Sequence, residues 1–121
     1  MATDLTGIPE DPSGHGGGFV FDCRCLPNPG RFAEYADLTG QNEKVISYLR
    51  TQSEVTMFLS SVKDIIDMAV RKYREREFFS LMVSFGCTGG QHRSVYCAEQ
   101  LAAHLSAQSV HVHLRHIMLE R

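Results

Sequence analysis

Apolar residues recur every three or four positions along two parts of the chain, a spacing typical of helices that bury one face. In residues 55–73 this spacing predicts a long helix that ends near Arg76, and in residues 95–105 it predicts a second helix. Thr51 and Glu54 have the spacing of a capping box, which predicts that the long helix begins with them. A short helix is predicted at about residues 43–49.

Three other segments are apolar or alternate between apolar and polar residues, which is typical of strands. They are residues 19–25, 78–85 and 110–116. Three strands make a thin sheet, so a further strand is expected before Phe19, either within residues 3–8 or outside this chain. Strands that alternate with helices predict an α/β fold with a mostly parallel sheet, as a small three-layer domain with helices on both faces.

Length and composition narrow the class of protein. The chain of 121 residues suits one domain, with residues 1–18 as a flexible lead-in rich in glycine and proline and residues 19–121 as the folded part. The net charge of -2 does not favour nucleic acid or a membrane surface. The polar start lacks the features of a signal peptide, and four cysteines without a disulfide or zinc pattern suit a reducing compartment, so a cytoplasmic protein is expected.

The central stretch, residues 78–106, reads as a buried strand, the loop CTGGQHRS and a helix, which is the phosphate-binding unit of many α/β proteins. Gly89 and Gly90 would let the backbone approach an anion closely. Arg93 adds a positive fork suited to phosphate oxygens, and His92 can add another donor. We therefore expect a phosphate site here.

Asp22 and Arg24 lie on one face near the end of the first predicted strand. Ligands of open α/β sheets bind at the carboxyl ends of strands, so both side chains could line a pocket with the central loop. A local ion pair on a solvated face explains the same pattern, and the sequence does not decide between the two.

The loop also fits a second chemistry. Cys87, Gly90, Arg93 and Ser94 match the cysteine-phosphatase pattern C-x-x-G-x-x-R-S, in which a thiolate attacks phosphorus and Cys87 and Arg93 would be catalytic. Gly86 stands where those enzymes usually have a histidine, and no convincing general acid is evident. His111 and His113 alternate on a predicted strand without a completing ligand, so neither a metal nor another cofactor is expected.

Long motifs resemble one known family. FDCRCLPNPGR, the LTG at residues 38–40 and GCTGGQHRSVYCAEQLA are similar to motifs of the C-terminal domain of RapZ, the bacterial RNase adapter family, over residues 19–116. The resemblance implies an α/β domain similar to a phosphofructokinase subdomain. It also implies a regulatory domain that binds an amino-sugar phosphate, glucosamine-6-phosphate, and this favours a binding domain over an enzyme. Full-length members also bind small RNA and form oligomers.

Carried over to this sequence, the family's pocket would use seven residues. They are Asp22, Arg24, Thr88, Gly89, Gly90, His92 and Arg93. Gly30 stands where many members have a histidine that joins the pocket, so this departure bears on the specificity for the sugar. The chain has no G-x-x-x-x-G-K-[ST] motif for ATP or GTP, and no basic tail to support RNA binding.

Overall fold

The structure, a computed structural model, describes residues 2–4, 18–76, 81–87, 91–110 and 112–116. Its strands are β1 (Ala2–Asp4), β2 (Gly18–Asp22) and β3 (Met82–Cys87). Its helices are α1 (Glu43–Arg50), α2 (Ser53–Glu75) and α3 (Arg93–Ser106), and two short 3-10 turns lie at Pro29–Arg31 and Ala33–Tyr35. Among these residues no helix is both long and apolar enough to cross a membrane.

The three strands form one parallel sheet in the order β1-β3-β2, with Phe21 opposite Phe85 and Asp22 opposite Gly86. The predicted α/β fold is confirmed. The three-layer arrangement, the likeness to a phosphofructokinase subdomain and the domain boundaries stay predictions. Because the strands are parallel, β2 and β3 both deliver their following segments to the same edge of the sheet.

The start of β2 requires a glycine. Gly18 has a φ of 151°, and a Cβ atom there would lie 2.1 Å from the carbonyl oxygen of Met82. Only glycine adopts such a backbone readily and lets the two strands approach this closely.

One buried cluster unites the sheet and all three helices. Phe85 of β3 lies at its centre with 1% exposure, and its ring stacks on Phe21 of β2 at 5.5 Å between centroids. Each helix adds one apolar face to this cluster. The helical members are Val45, Leu49, Val55, Leu59, Val62, Ile66, Val95, Tyr96, Cys97, Ala98, Leu101 and Leu105.

The first predicted strand ends earlier than its alternating pattern. β2 stops at Asp22, and the chain then turns, with the Leu26 amide donating to the Cys23 carbonyl. Cys23 is fully buried whereas Cys25 is exposed, although the alternating pattern of residues 19–25 predicts both on one face. The turn breaks the two-residue period that would have placed them on one side.

The strand predicted at residues 110–116 is also wrong. Residues 112–115 have no regular structure, and His116 forms only an isolated bridge. Val112 and Leu114 are partly buried against the core cluster, so their alternation with polar residues reflects one-sided burial without strand pairing. The strand predicted at residues 78–85 is found as Met82–Cys87, and residues 78–80 lie outside the described ones.

The predicted helices are confirmed with small changes at their ends. The capping box predicted at Thr51 and Glu54 is wrong, because α2 begins at Ser53. Its N-cap residue, Gln52, makes no capping hydrogen bond with its side chain. The Thr51 hydroxyl instead donates to the Tyr48 carbonyl at 2.8 Å, which completes the end of α1. The further strand expected before Phe19 is β1, Ala2–Asp4, slightly earlier than residues 3–8.

Candidate functional site

The candidate site lies where β2 and β3 end. Asp22 is the last residue of β2 and stands opposite Gly86, one residue before the end of β3. α3 begins at Arg93 and packs against β3. The structure therefore brings Asp22, Arg24, His92 and Arg93 to one edge, while Thr88, Gly89 and Gly90 lie outside the described residues.

Arg93 fastens the start of α3 to the segment that follows β2. Its side chain is buried, with the residue 5% exposed, and Nη1 donates to the Arg24 carbonyl at 2.8 Å and to the Leu26 carbonyl at 3.1 Å. Two carbonyl acceptors fix the plane of the guanidinium group before any ligand arrives. A donor that is already oriented loses little conformational entropy when it binds.

One nitrogen of the Arg93 guanidinium group is unsatisfied. Its Nε is buried and has no hydrogen-bond partner, and among the described residues no carboxylate forms an ion pair with this guanidinium. The nearby Asp22 carboxylate attracts this charge without forming an ion pair with it, and burying a charge without a direct partner is costly. Nη1 is occupied, so an anion would be held by the Nε–Nη2 edge, which matches two oxygens of a phosphate or carboxylate.

Asp22 and Arg24 form an ion pair beside Arg93. The Arg24 Nη2 lies 2.7 Å from Asp22 Oδ2, and the Arg24 Nε and backbone amide also donate to the carboxylate. Hydrogen bonds from the Arg24 side chain and backbone, with the positive charges of Arg24 and Arg93, hold the pKa of Asp22 below its ordinary value. Both side chains are about half exposed, at 47% and 58%, so water competes with the pair and a ligand can reach either partner.

The contacts of His92 define which of its nitrogens is available. Its Nε2 lies 2.9 Å from the Tyr35 carbonyl oxygen, which can only accept, so Nε2 carries the proton. In neutral His92 the other nitrogen, Nδ1, is therefore an acceptor. The donor expected from the sequence is thus engaged by Tyr35, and the free ring nitrogen attracts hydrogen-bond donors.

Gly30 lies beside this nitrogen. A Cβ atom at Gly30 would lie 3.3 Å from His92 Nδ1 and 3.1 Å from Asn28 Oδ1, so both acceptors border the same small space. Asn28 Oδ1 is fixed by the Gly30 amide at 2.9 Å and keeps a second lone pair. A hydroxyl or amino group suits this space, because both neighbours accept.

Gln91 holds the segment before α1 against the start of α3. Its side-chain amide donates to the carbonyls of Ala36 at 2.8 Å and Leu38 at 2.7 Å, and its own carbonyl accepts from the Gly40 amide. A Cβ at Gly40 would lie 2.4 Å from the His92 carbonyl oxygen, which explains the glycine of the LTG motif.

The sequence analysis missed three residues near the site: Asn28, Tyr35 and Gln91. Only Asn28 had a local signal, as a turn residue before Pro29 and Gly30.

Three of the four cysteines, Cys23, Cys87 and Cys97, are shielded from solvent. Cys87 is 2% exposed, and its thiol donates to the Ser94 hydroxyl at 3.2 Å. A hydrogen bond with Cys97 and burial raise the pKa of the Cys23 thiol. Among the described residues no group of three or more histidine, cysteine or acidic side chains is arranged to hold a metal ion.

Comparisons with known proteins identify relatives over nearly the whole chain. The family model of the RapZ C-terminal domain matches residues 5–120. Proteins named "Nucleotide-binding protein" are similar: one from Tolumonas auensis is 41% identical over 103 residues, and one from Janthinobacterium sp. (strain Marseille) is 40% identical over 114 residues. These alignments cover 85% and 94% of this chain but only 36% and 38% of the relatives. The chain therefore spans little more than a third of their length.

Proposed function

The chain belongs to the RapZ C-terminal domain family, and from this membership and the geometry of the site we propose that it senses a small phosphorylated metabolite. The ligand class is an amino-sugar phosphate, with glucosamine-6-phosphate as the first candidate. The protein would act as a cytoplasmic regulatory domain.

The observation that carries the proposal is the buried Nε of Arg93, which has no hydrogen-bond partner. A guanidinium group held by two carbonyls, with an unpartnered Nε and no carboxylate partner among the described residues, supports binding of a dianionic group. The phosphate of the ligand would accept two hydrogen bonds from Nε and Nη2. Amides of residues 88–90 are expected to add to this site, as the sequence pattern indicates.

The phosphate would be bound by hydrogen-bond donors, whereas the sugar ring would be recognised by acceptors and a carboxylate. His92 Nδ1 and Asn28 Oδ1 both accept, which supports a hydroxyl or amino group in the space beside Gly30. The carboxylate of Asp22, at the end of β2, would attract an ammonium group after Arg24 turns away from it. An amino-sugar phosphate combines the three features: a dianion, hydroxyl donors and a cation.

A titration with related ligands tests this proposal. We expect isothermal titration calorimetry to show tighter binding of glucosamine-6-phosphate than of glucose-6-phosphate, inorganic phosphate or ATP. Arg93→Lys retains the charge but loses the planar fork, so affinity for every phosphorylated ligand should fall roughly tenfold to a hundredfold. His104→Gln is the matched control, because His104 lies on the same helix but binds Asp67 of α2.

The same titration can contradict the proposal in two ways. Equal affinity of the native protein and Arg93→Lys for glucosamine-6-phosphate would exclude Arg93 from the site. Tighter binding of ATP than of any sugar phosphate would instead favour a nucleotide ligand, in line with the name of the relatives. Vanadate-sensitive hydrolysis of an aryl phosphate that is lost in Cys87→Ser would establish the phosphatase alternative. RNA binding stays a prediction of the family resemblance.

A further inference from the structure

Arg24 contributes to both halves of the candidate site. Its side chain pairs with Asp22, with Nη2 2.7 Å and Nε 3.0 Å from the same carboxylate oxygen, Oδ2. Its backbone carbonyl accepts from Arg93 Nη1 at 2.8 Å. The carboxylate suits a cation and the buried guanidinium group suits an anion, so a single residue joins the two binding positions.

The backbone of Arg24 is held in place, whereas its side chain can move. The Arg24 amide donates to Asp22 Oδ1 at 2.9 Å, and its carbonyl accepts from Arg93. The side chains of Arg24 and Asp22 are 58% and 47% exposed, and an ion pair exposed to this degree is weak. If the Arg24 side chain leaves, Asp22 Oδ2 becomes available, while the Arg24 amide keeps the carboxylate in its orientation.

An anion beside Arg93 would compete with Asp22 for the side chain of Arg24. Because Arg93 contacts the Arg24 carbonyl directly, an anion held by the same guanidinium group would be a close neighbour of Arg24. A phosphate group carries about two negative charges near neutral pH, more than a carboxylate does, and its oxygens match the planar fork of arginine. The Arg24 fork would therefore move from the carboxylate to the phosphate.

We propose that Arg24 is the residue that makes the site selective for ligands with both a phosphate and an ammonium group. Anion binding at Arg93 draws the Arg24 side chain away from Asp22, and the carboxylate that becomes available then binds the cation. In the empty site the Arg24 side chain takes the place of that cation. This role rests on the proposed function, because it couples two parts of the same ligand site.

The coupling explains why each group of the ligand needs the other. An ammonium group without a phosphate finds Asp22 already paired with Arg24. A phosphate without an ammonium group draws Arg24 away and leaves the Asp22 carboxylate alone beside a second negative charge, which repels it. Each group therefore raises the affinity for the other, and by the same factor, because the coupling free energy is reciprocal.

A cycle of four ligands measures this coupling on the whole chain. NMR titrations near neutral pH give the dissociation constants of glucose, glucosamine, glucose-6-phosphate and glucosamine-6-phosphate. In the native protein the amino group should raise the affinity of the sugar phosphate about tenfold, a common size of coupling, but that of the free sugar by a factor of about two or less.

Arg24→Gln removes the charge and keeps a side chain that can form hydrogen bonds. Asp22 then lacks its charged partner with or without a phosphate, so the amino group should raise the affinity of the free sugar about tenfold as well. The difference between the two pairs of ligands should therefore disappear in this variant.

The control is Arg71→Gln, which removes the same charge from an exposed position of α2. This helix leads to the start of β3, whereas the site lies at the end of β3, so the variant should behave like the native protein.

Two results would overturn the role of Arg24. One is an amino group that raises the affinity of free and phosphorylated sugars equally in the native protein, which leaves the proposed ligand in place without the coupling. The other is a native difference that persists in Arg24→Gln. Glucosamine-6-phosphate that binds the native protein no more tightly than glucose-6-phosphate would overturn the proposed ligand as well.

Discussion

At the scale of the single residue, Arg93 joins two tasks that are usually separate. Its Nη1 completes the fold by satisfying the carbonyls of Arg24 and Leu26, and its Nε remains without a partner in the buried site. Removal of the side chain would leave two carbonyls unsatisfied as well as remove the anion's donor. Arg93→Ala is therefore a poor test of binding, and Arg93→Lys is the better one.

Gly30 determines what can enter the space next to His92. In Gly30→Ala the new methyl group would lie 3.1 Å from Asn28 Oδ1 and 3.2 Å from His92 Cε1, so it occupies the space proposed for a sugar substituent. We expect affinity for glucosamine-6-phosphate to fall about tenfold, the effect of roughly one lost hydrogen bond. Affinity for inorganic phosphate, which calorimetry measures on the same samples, should stay unchanged. An equal loss for both ligands would contradict a role in sugar recognition.

The four cysteines should separate into two classes of reactivity. Cys25 is exposed, whereas Cys23, Cys87 and Cys97 are buried, and thiol reagents attack only accessible thiolates. We expect a chromogenic disulfide reagent to modify one thiol of the native protein quickly and the other three only after unfolding. Cys25→Ser should abolish the fast phase. A fast phase that persists in this variant would show that the site opens to solvent near Cys87.

Residues also mark the limit of what the sequence could predict. The grouping of Asp22, Arg24 and Arg93 was predictable, because strand ends and the helix start are local signals that parallel topology brings together. The sequence could not show whether Asp22 lines a pocket or pairs with Arg24, because this depends on the direction of the Arg24 side chain. Tyr35 contributes through its backbone carbonyl, which any residue type carries, so the sequence held no signal for it.

At the scale of the element, the spacing of apolar residues predicted the helices correctly, because each helix buries one face against the core. α2 and α3 were found near their predicted bounds because their apolar spacing is long and uninterrupted. Residues 112–116 have a strand-like pattern, yet residues 112–115 have no regular structure and only His116 forms a bridge, while Val112 and Leu114 pack on the core. A burial pattern therefore predicts which side chains face inward, but hydrogen-bond pairing depends on the neighbour.

Glu99 links α3 to this last segment. Its Oε1 accepts from His116 at 2.9 Å and from Gln41 at 2.9 Å. Burial raises the pKa of Glu99, but these hydrogen bonds outweigh it, and the net pKa lies below the ordinary value of 4.5. The link therefore stabilises the fold above about pH 4.5 and is lost as the pH falls through the lower pKa of the folded state.

Chemical denaturation at several pH values can check this link. The free energy of unfolding of the native protein should exceed that of Glu99→Gln at neutral pH, and the difference should shrink below about pH 4.5. Glu34→Gln, at an exposed site, serves as the control and should show no such trend. A difference that stays constant between neutral and acid pH would mean that the Glu99 carboxylate is not the stabilising group.

At the scale of the whole molecule, the sheet depends on a strand from the very start of the chain. β1 pairs with β3 and contacts α3, so it covers one edge of the central strand beside the site. A variant that begins at Gly18 would leave this edge of β3 unpaired. We expect a lower melting temperature and a greater tendency to aggregate, measured by differential scanning calorimetry and light scattering. An unchanged melting temperature would show that β1 is dispensable.

The two carbonyls that accept hydrogen bonds from Arg93 have a consequence for the lifetime of the protein in a cell. They hold a buried positive charge in place whether or not an anion is present, so the empty state carries an electrostatic cost that a bound anion relieves. At a ligand concentration a hundred times the dissociation constant, binding adds about 2.7 kcal/mol to stability. Proteases degrade the unfolded fraction, and a change of this size alters that fraction about a hundredfold. The abundance of the protein should therefore rise and fall with the concentration of its ligand, which makes degradation a second readout of the same metabolite.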